Sequence, residues 1–187
     1  MIIYIHGFNS SPASFKAKVL HDGLAARGRA QDFIAPALPH SPAAAARVLA
    51  ELARKHPRAA LVGSSLGGFY ATWLAEEFAL RAVLVNPAVR PHELLAGHVG
   101  RQKNFHTGED YDFTLAHVAE LRALEVDALD PLRYLLMVET GDEVLDYRHA
   151  VGKYRGAQQL VIEGGDHGFS DFADYVETAL EFCVNQD

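Results

Sequence analysis

One cysteine, Cys183, stands among 187 residues, so no disulfide can close within the chain. It falls on the apolar stripe of a helical pattern, which predicts a buried core thiol, not a reactive one. A basic face is also missing. The balance of 17 Lys+Arg against 24 Asp+Glu leaves a net charge of −7, with no Lys/Arg stripe. That excludes nucleic acid or an anionic membrane surface as the main partner. No uninterrupted apolar run approaches the ~18 residues that would span a bilayer. Met1 leads directly into Ile2-Ile3-Tyr4-Ile5 without a charged leader, so the expectation is a soluble, cytoplasmic protein with no stable membrane association. Metal-ligand spacing is absent too: His92, His98 and His106 follow no recognised pattern and have no cysteine nearby. No metal and no cofactor are expected.

What the chain does have is hydrophobic residues, 49% of the total, enough for one domain with a substantial core over residues 1–187. Its patterning alternates strand and helix. Met1 to Ile5 reads as a short buried strand, and Ser11-Pro12 as the cap and first residue of a helix running toward Arg27. Asp32 to Ala35 is a weak second strand, and Ser41-Pro42 opens the next helix. Arg58 to Gly63, Arg81 to Asn86, Tyr134 to Val138 and Gln159 to Ile162 supply four more strands. Between them lie helical patterns over Leu66 to Phe78, Thr114 to Glu125 and Asp146 to Tyr154. The last helix carries Phe172, Tyr175, Val176, Ala179, Leu180 and Cys183 at helical spacing behind a Ser170 cap. Pro87 to Phe113 breaks the alternation and reads as an insert with some short helix, too short and polar to own a core. Six strand-helix repeats predict an α/β fold, with a mostly parallel sheet covered by helices on both faces. In such sheets reactive groups gather at the loops leaving the carboxyl ends of the strands.

One of those loops is Gly63-Ser64-Ser65-Leu66-Gly67, a G-x-S-x-G run between an apolar strand and a helix. Composition alone predicts only about 0.04 accidental matches in a chain of this length. A serine held on so tight a turn presents its hydroxyl to a cleft, and the glycines remove side chains that would collide there. The competing possibility is a glycine-rich turn that merely packs helix on strand, with Ser65 as its cap. The other strand-end loops decide between them. His167, in Gly164-Gly165-Asp166-His167-Gly168, follows the last strand and can accept the Ser65 proton as general base. Asp142, in Glu139-Thr140-Gly141-Asp142-Glu143, follows the fifth strand and can orient that imidazole and stabilise its cation. Glu139, Glu143 and Asp146 compete with it, and Asp142 is preferred because it follows the turn glycine. The chain order Ser65, Asp142, His167 suits a nucleophile-elbow hydrolase. An oxyanion needs two backbone donors, for which the N–H groups of Phe8 and Leu66 are the natural pair. His6 beside them reads as a structural loop histidine.

These residues carry a resemblance. The matching stretches are His6-Gly7-Phe8-Asn9-Ser10-Ser11-Pro12, Leu61 through Leu74, Val85-Asn86-Pro87-Ala88-Val89-Arg90-Pro91, Thr140 through Arg148, and Glu163-Gly164-Gly165 with His167. Together they resemble the α/β-hydrolase superfamily, and within it the small YqiA-like esterases, over almost the whole length. The sequence departs from that pattern at Asp166 and Gly168, where Asn and Ala are expected, and at Asn104-Phe105-His106, where Asn-Pro-Tyr is expected. The resemblance implies an α/β-hydrolase fold and a cofactor-free serine hydrolase whose small-molecule substrate is a carboxylic ester or, as an alternative, an acyl-CoA thioester. The insert would line the acyl pocket with Phe105, Tyr111 and Phe113, or those aromatics pack the insert onto the sheet. Two other functions use the same residues: an acyltransferase that delivers the acyl group to an alcohol or amine, and a non-catalytic binding member of the fold.

Overall fold

The computed structural model describes residues 1–184. Six parallel strands form its sheet: β1 (Ile2–Ile5), β2 (Phe33–Ile34), β3 (Ala60–Ser64), β4 (Arg81–Val85), β7 (Tyr134–Glu139) and β8 (Gln158–Ile162), in the spatial order β2-β1-β3-β4-β7-β8. Every residue of β1, β3 and β7 is buried, as strands covered on both faces must be. Their side chains divide with the two-residue period of a strand. Ile3, Ile5, Leu61, Leu84 and Leu136 enter one core, and Ile2, Tyr4, Val62, Val83, Val85 and Met137 enter the other.

The first core is roofed by helices α2 (Pro42–Lys55), α3 (Leu66–Phe78), α5 (Leu115–Ala123) and α6 (Tyr147–Lys153), through residues such as Leu49, Leu74, Leu121 and Ala150. The second is roofed by α1 (Phe15–Ala26) and α7 (Phe172–Val184), through Leu20, Leu24, Phe172, Leu180 and Cys183. Helix α1 has no side-chain bond at its N-cap. A cap is worth about 1 kcal/mol, whereas burying a leucine stabilises by roughly 1.5–3 kcal/mol. Leu20 and Leu24 therefore outweigh what the missing cap forgoes.

Two helix starts differ from expectation. Helix α1 begins at Phe15, not Pro12, because Ser11 to Ser14 form a separate turn. Ser14 N–H donates to the Ser11 carbonyl, Ala13 N–H to Ser11 Oγ, and Ser14 Oγ is tied to the Tyr4 hydroxyl. Helix α7 begins at Phe172, and Ser170 does not cap it; its hydroxyl donates to Asp166 Oδ2 instead.

The insert holds α4 (Pro91–Leu95) and, unexpectedly, an antiparallel hairpin of β5 (Gly100–Lys103) and β6 (Asp110–Phe113). Lys103 lies opposite Asp110 and Arg101 opposite Asp112, so the pairing sets unlike charges across the ladder.

Candidate active site

Four loops leave the carboxyl ends of the parallel strands at one edge, and each brings a residue to a common point. The turn after β3 carries Ser65 at φ 55° and ψ −121°, a conformation rarely adopted by a side-chain-bearing residue. Its neighbours force the glycines. A Cβ on Gly63 would sit 2.3 Å from the Gly67 carbonyl oxygen, and one on Gly67 would sit 1.9 Å from that of Ile5. The strained turn is tied in place by Ser65 N–H to the Val85 carbonyl at 3.0 Å and Ala88 N–H to the Ser65 carbonyl at 3.0 Å.

The loop after β8 swings His167 over this serine, with Nε2 3.0 Å from Ser65 Oγ. The loop after β7 places Asp142 behind the ring, with Oδ2 2.8 Å and Oδ1 3.0 Å from Nδ1. That contact fixes Nδ1 as the protonated nitrogen and leaves Nε2 to accept from the serine. The Asp142 side chain is 2% exposed. Burial alone would raise its pKa, but the His167 bond and the N–H groups of Leu145 and Val144 outweigh that, and the carboxyl lies below its ordinary value. It is therefore an anion at neutral pH.

The acids that competed with Asp142 in the sequence go elsewhere. Glu143 accepts from the His167 backbone N–H at 2.9 Å, Asp146 caps α6, and Glu139 is buried beneath the loop of His167. The turn after β1 lies against the serine: a Cβ on Gly7 would be 3.7 Å from Ser65 Oγ. Phe8 follows in that turn, and Leu66 is the first residue of α3, where a helix leaves N–H groups without internal acceptors. His6 is buried against its own turn, Nδ1 3.0 Å from the Gly7 carbonyl oxygen, and burial holds its pKa below the ordinary value.

The three aromatics expected to line a pocket separate. Phe113 is buried and packs edge-on to Phe8 at 5.4 Å. Tyr111 stacks on His40 at 3.7 Å and donates to Asn9 Oδ1, its hydroxyl pushed up to about 12 by burial. Both border a small cleft of about 40 Å³ beside Phe8 and Leu66. Phe105 is a correction: it is 82% exposed and lines neither cavity. Asn104 turns inward instead, its amide donating to the Ser10 carbonyl while its oxygen accepts from His106 and Thr107 N–H, which throws Phe105 outward.

A larger cavity of about 840 Å³ opens between the segments that follow β4 and β7. Its apolar lining comes from Pro87, Ala88, Val89, Leu94, Val126, Val144 and Leu145, with charged residues such as Arg90, Glu93, Asp127 and Lys153 among them. Ala88 N–H is bonded to the Ser65 backbone carbonyl and Leu145 N–H to the Asp142 carboxylate, so two of the lining segments are tied to the loops that carry these side chains. Sequence reasoning had not assigned these walls, although both segments lie within the motifs that carried the resemblance.

Asn86, which the sequence marks only as the end of a strand, has a wider role. It is 2% exposed, with φ 40°. Its amide donates to the Asp166 carbonyl at 3.0 Å and the His167 carbonyl at 3.3 Å, while its oxygen accepts from Glu139 N–H at 3.0 Å. One side chain thus joins the end of β4, β7 and the loop of His167.

Among the described residues no three His, Cys, Asp or Glu side chains are grouped as metal ligands would be. No helix of the described residues is long and apolar enough to cross a membrane.

The arrangement of strands is shared with solved structures of low sequence identity. Alpha/beta hydrolase domain-containing protein 10 from mouse superposes with a TM-score of 0.71 at 15% identity, over 96% of this chain and 89% of that one. Est1E from Butyrivibrio proteoclasticus gives 0.73 at 16% identity, over 97% and 87%. The chain has the α/β-hydrolase fold. In sequence it is 24% identical over 188 residues to the UPF0227 protein YE1706 of Yersinia enterocolitica, covering 97% of this chain and 98% of that protein. A family model matches residues 1–184, and the chain therefore belongs to the family described as "Uncharacterised protein family (UPF0227)".

Proposed function

We propose that the protein is a serine hydrolase that cleaves carboxylic esters through an acyl-enzyme on Ser65. The observation that carries this reading is the unbroken line from Asp142 through the His167 ring to Ser65 Oγ, with bonds of 2.8 Å and 3.0 Å. A serine hydroxyl is a weak nucleophile until a base takes its proton, and Nε2 is placed to do so as Oγ attacks the acyl carbon. The Asp142 anion stabilises the imidazolium that forms and keeps the ring in the productive tautomer. The N–H groups of Phe8 and Leu66 hold the tetrahedral oxyanion, each such donor being worth about 10²–10³ in turnover. The imidazolium then protonates the leaving alcohol, whose departure leaves the acyl group on Ser65. In the second half the same imidazole takes a proton from water, hydroxide adds to the acyl carbon, and Ser65 Oγ leaves with its proton restored.

The larger cavity lies in the range of small-ligand sites, about 300–1,000 Å³, and its apolar walls suit an acyl chain. The test is turnover of a p-nitrophenyl ester series by the wild type and Ser65→Ala. The expected result is wild-type hydrolysis, with the variant at least ~10⁴-fold slower. A variant that keeps wild-type turnover would overturn the assignment.

A further inference from the structure

Glu139 is fully buried at the end of β7, with a side chain the mechanism above does not use. Its Oε2 accepts from Asp166 N–H at 2.9 Å, one residue before the base. The loop is pressed hard onto this carboxyl: a Cβ on Gly165 would lie 2.1 Å from Glu139 Cδ. The other oxygen, Oε1, is buried and meets no donor, and neither does the buried Oδ1 of Asp171, in the turn before α7. The two carboxyl groups meet each other. Two ionised carboxylates have only acceptors to offer, so such a contact holds only when one of them is protonated. A single proton between them gives each carboxyl group the partner it lacks.

Resting on the serine-hydrolase reading, we propose that Glu139 is a positioning residue that shares one proton with Asp171 and so holds the loop of His167 in place, the loop slackening when that proton leaves. The charges around the pair support this. Asp166 adds a third carboxylate from the loop itself, and Lys16 on α1 is the facing cation, its Nζ donating to the Gly168 carbonyl. With the proton in place, two acids face one ammonium; without it, three do. Burial is the main cause that pushes Glu139 up to about 7; the Asp166 N–H opposes it and Asp171 adds to it. An unfolded chain would release this proton near the ordinary glutamate value, about 4.3. The native state binds it up to about pH 7, so the stability it contributes is present in acid and is lost as pH rises through that value.

The test measures melting temperature and kcat/KM for a p-nitrophenyl ester between pH 5 and 9, on the wild type, Glu139→Gln and Asp171→Asn. Either amide can donate an N–H where the shared proton sat and cannot lose it. The wild type is expected to lose stability progressively as pH rises from 5 toward about 7, and turnover as the proton leaves near that value. Both variants should match it at pH 5 and abolish that loss. Glu139→Ala, which cannot bridge, should be at least tenfold slower at every pH. A wild type with no such loss, or amide variants that keep it, would overturn the proposal. Melting needs no substrate. A protein that hydrolyses no ester would therefore count against the serine-hydrolase reading alone, with the melting curves still deciding this one.

Discussion

Asp142 has its carboxyl below the ordinary range, although burial pulls it the other way. Three hydrogen bonds hold the anion, and two of them come from the backbone of its own loop. Its stability contribution is therefore present above the unfolded value of about 3.9 and is lost as pH falls through the lower native one. Asp142→Asn should remove that acid-side loss from the melting curve. It should also cut kcat/KM by roughly 10³–10⁴, because the ring loses its tautomer and no other carboxylate reaches Nδ1. Glu143 and Asp146 are engaged elsewhere. His167→Ala should lower kcat/KM by about 10⁴ or more while circular dichroism stays near wild type, since the bonds that hold its loop to Asn86, Glu139 and Glu143 are made by the backbone and not by the ring. At this scale much was legible in the sequence. A glycine before Asp142 and strand ends before Ser65 and His167 were enough to select the three side chains that converge. Asn86 and Glu139 were not selected because their roles depend on which loop lies above them, and that is set by strand order.

Elements were legible where one physical preference dominated. Helix α3 spans Leu66–Phe78 as the apolar run indicated, and α2 starts at Pro42 behind Ser41, whose Oγ accepts from Ala44 N–H. The hairpin of β5 and β6 was hidden because its strands are short and polar, stabilised by cross-strand charge and by Asn104 at its turn. Phe105 misled for the same reason: an aromatic in an insert looks like a pocket wall until its neighbour takes the inward position. The elbow gives a prediction of its own. Gly63→Ala places a methyl against the Gly67 backbone and 2.8 Å from Ala71 Cβ, so it should cost about 3 kcal/mol or more, read as a lower urea midpoint or insoluble protein. Asn86→Ala strips partners from Glu139 N–H and the Asp166 carbonyl. A loss of roughly 2–4 kcal/mol is expected, together with slower turnover, because the loop of the base is released.

For the whole molecule, the strand order β2-β1-β3-β4-β7-β8 decides which loops meet. The turns after β1, β3, β7 and β8 share one edge of the sheet, and the insert after β4 closes one side of the larger cavity. Gly152 on α6 lines that cavity and has nothing within 4 Å of where a Cβ would go. Gly152→Phe should therefore fold as well as wild type, helix interiors disfavouring glycine by roughly 0.5–1 kcal/mol relative to alanine. It should also lower kcat/KM for long-chain p-nitrophenyl esters at least tenfold while leaving the acetate unchanged. Equal losses on both would place the acyl chain elsewhere.

All of this depends on activation of Ser65 by His167. It is tested most directly by the rate at which a fluorophosphonate labels the protein, with the modified residue located by mass spectrometry in the wild type and His167→Ala. One adduct is expected, on Ser65, forming at least ~10³-fold more slowly without the imidazole. No adduct, an adduct on another residue, or equal rates in the two proteins would contradict it.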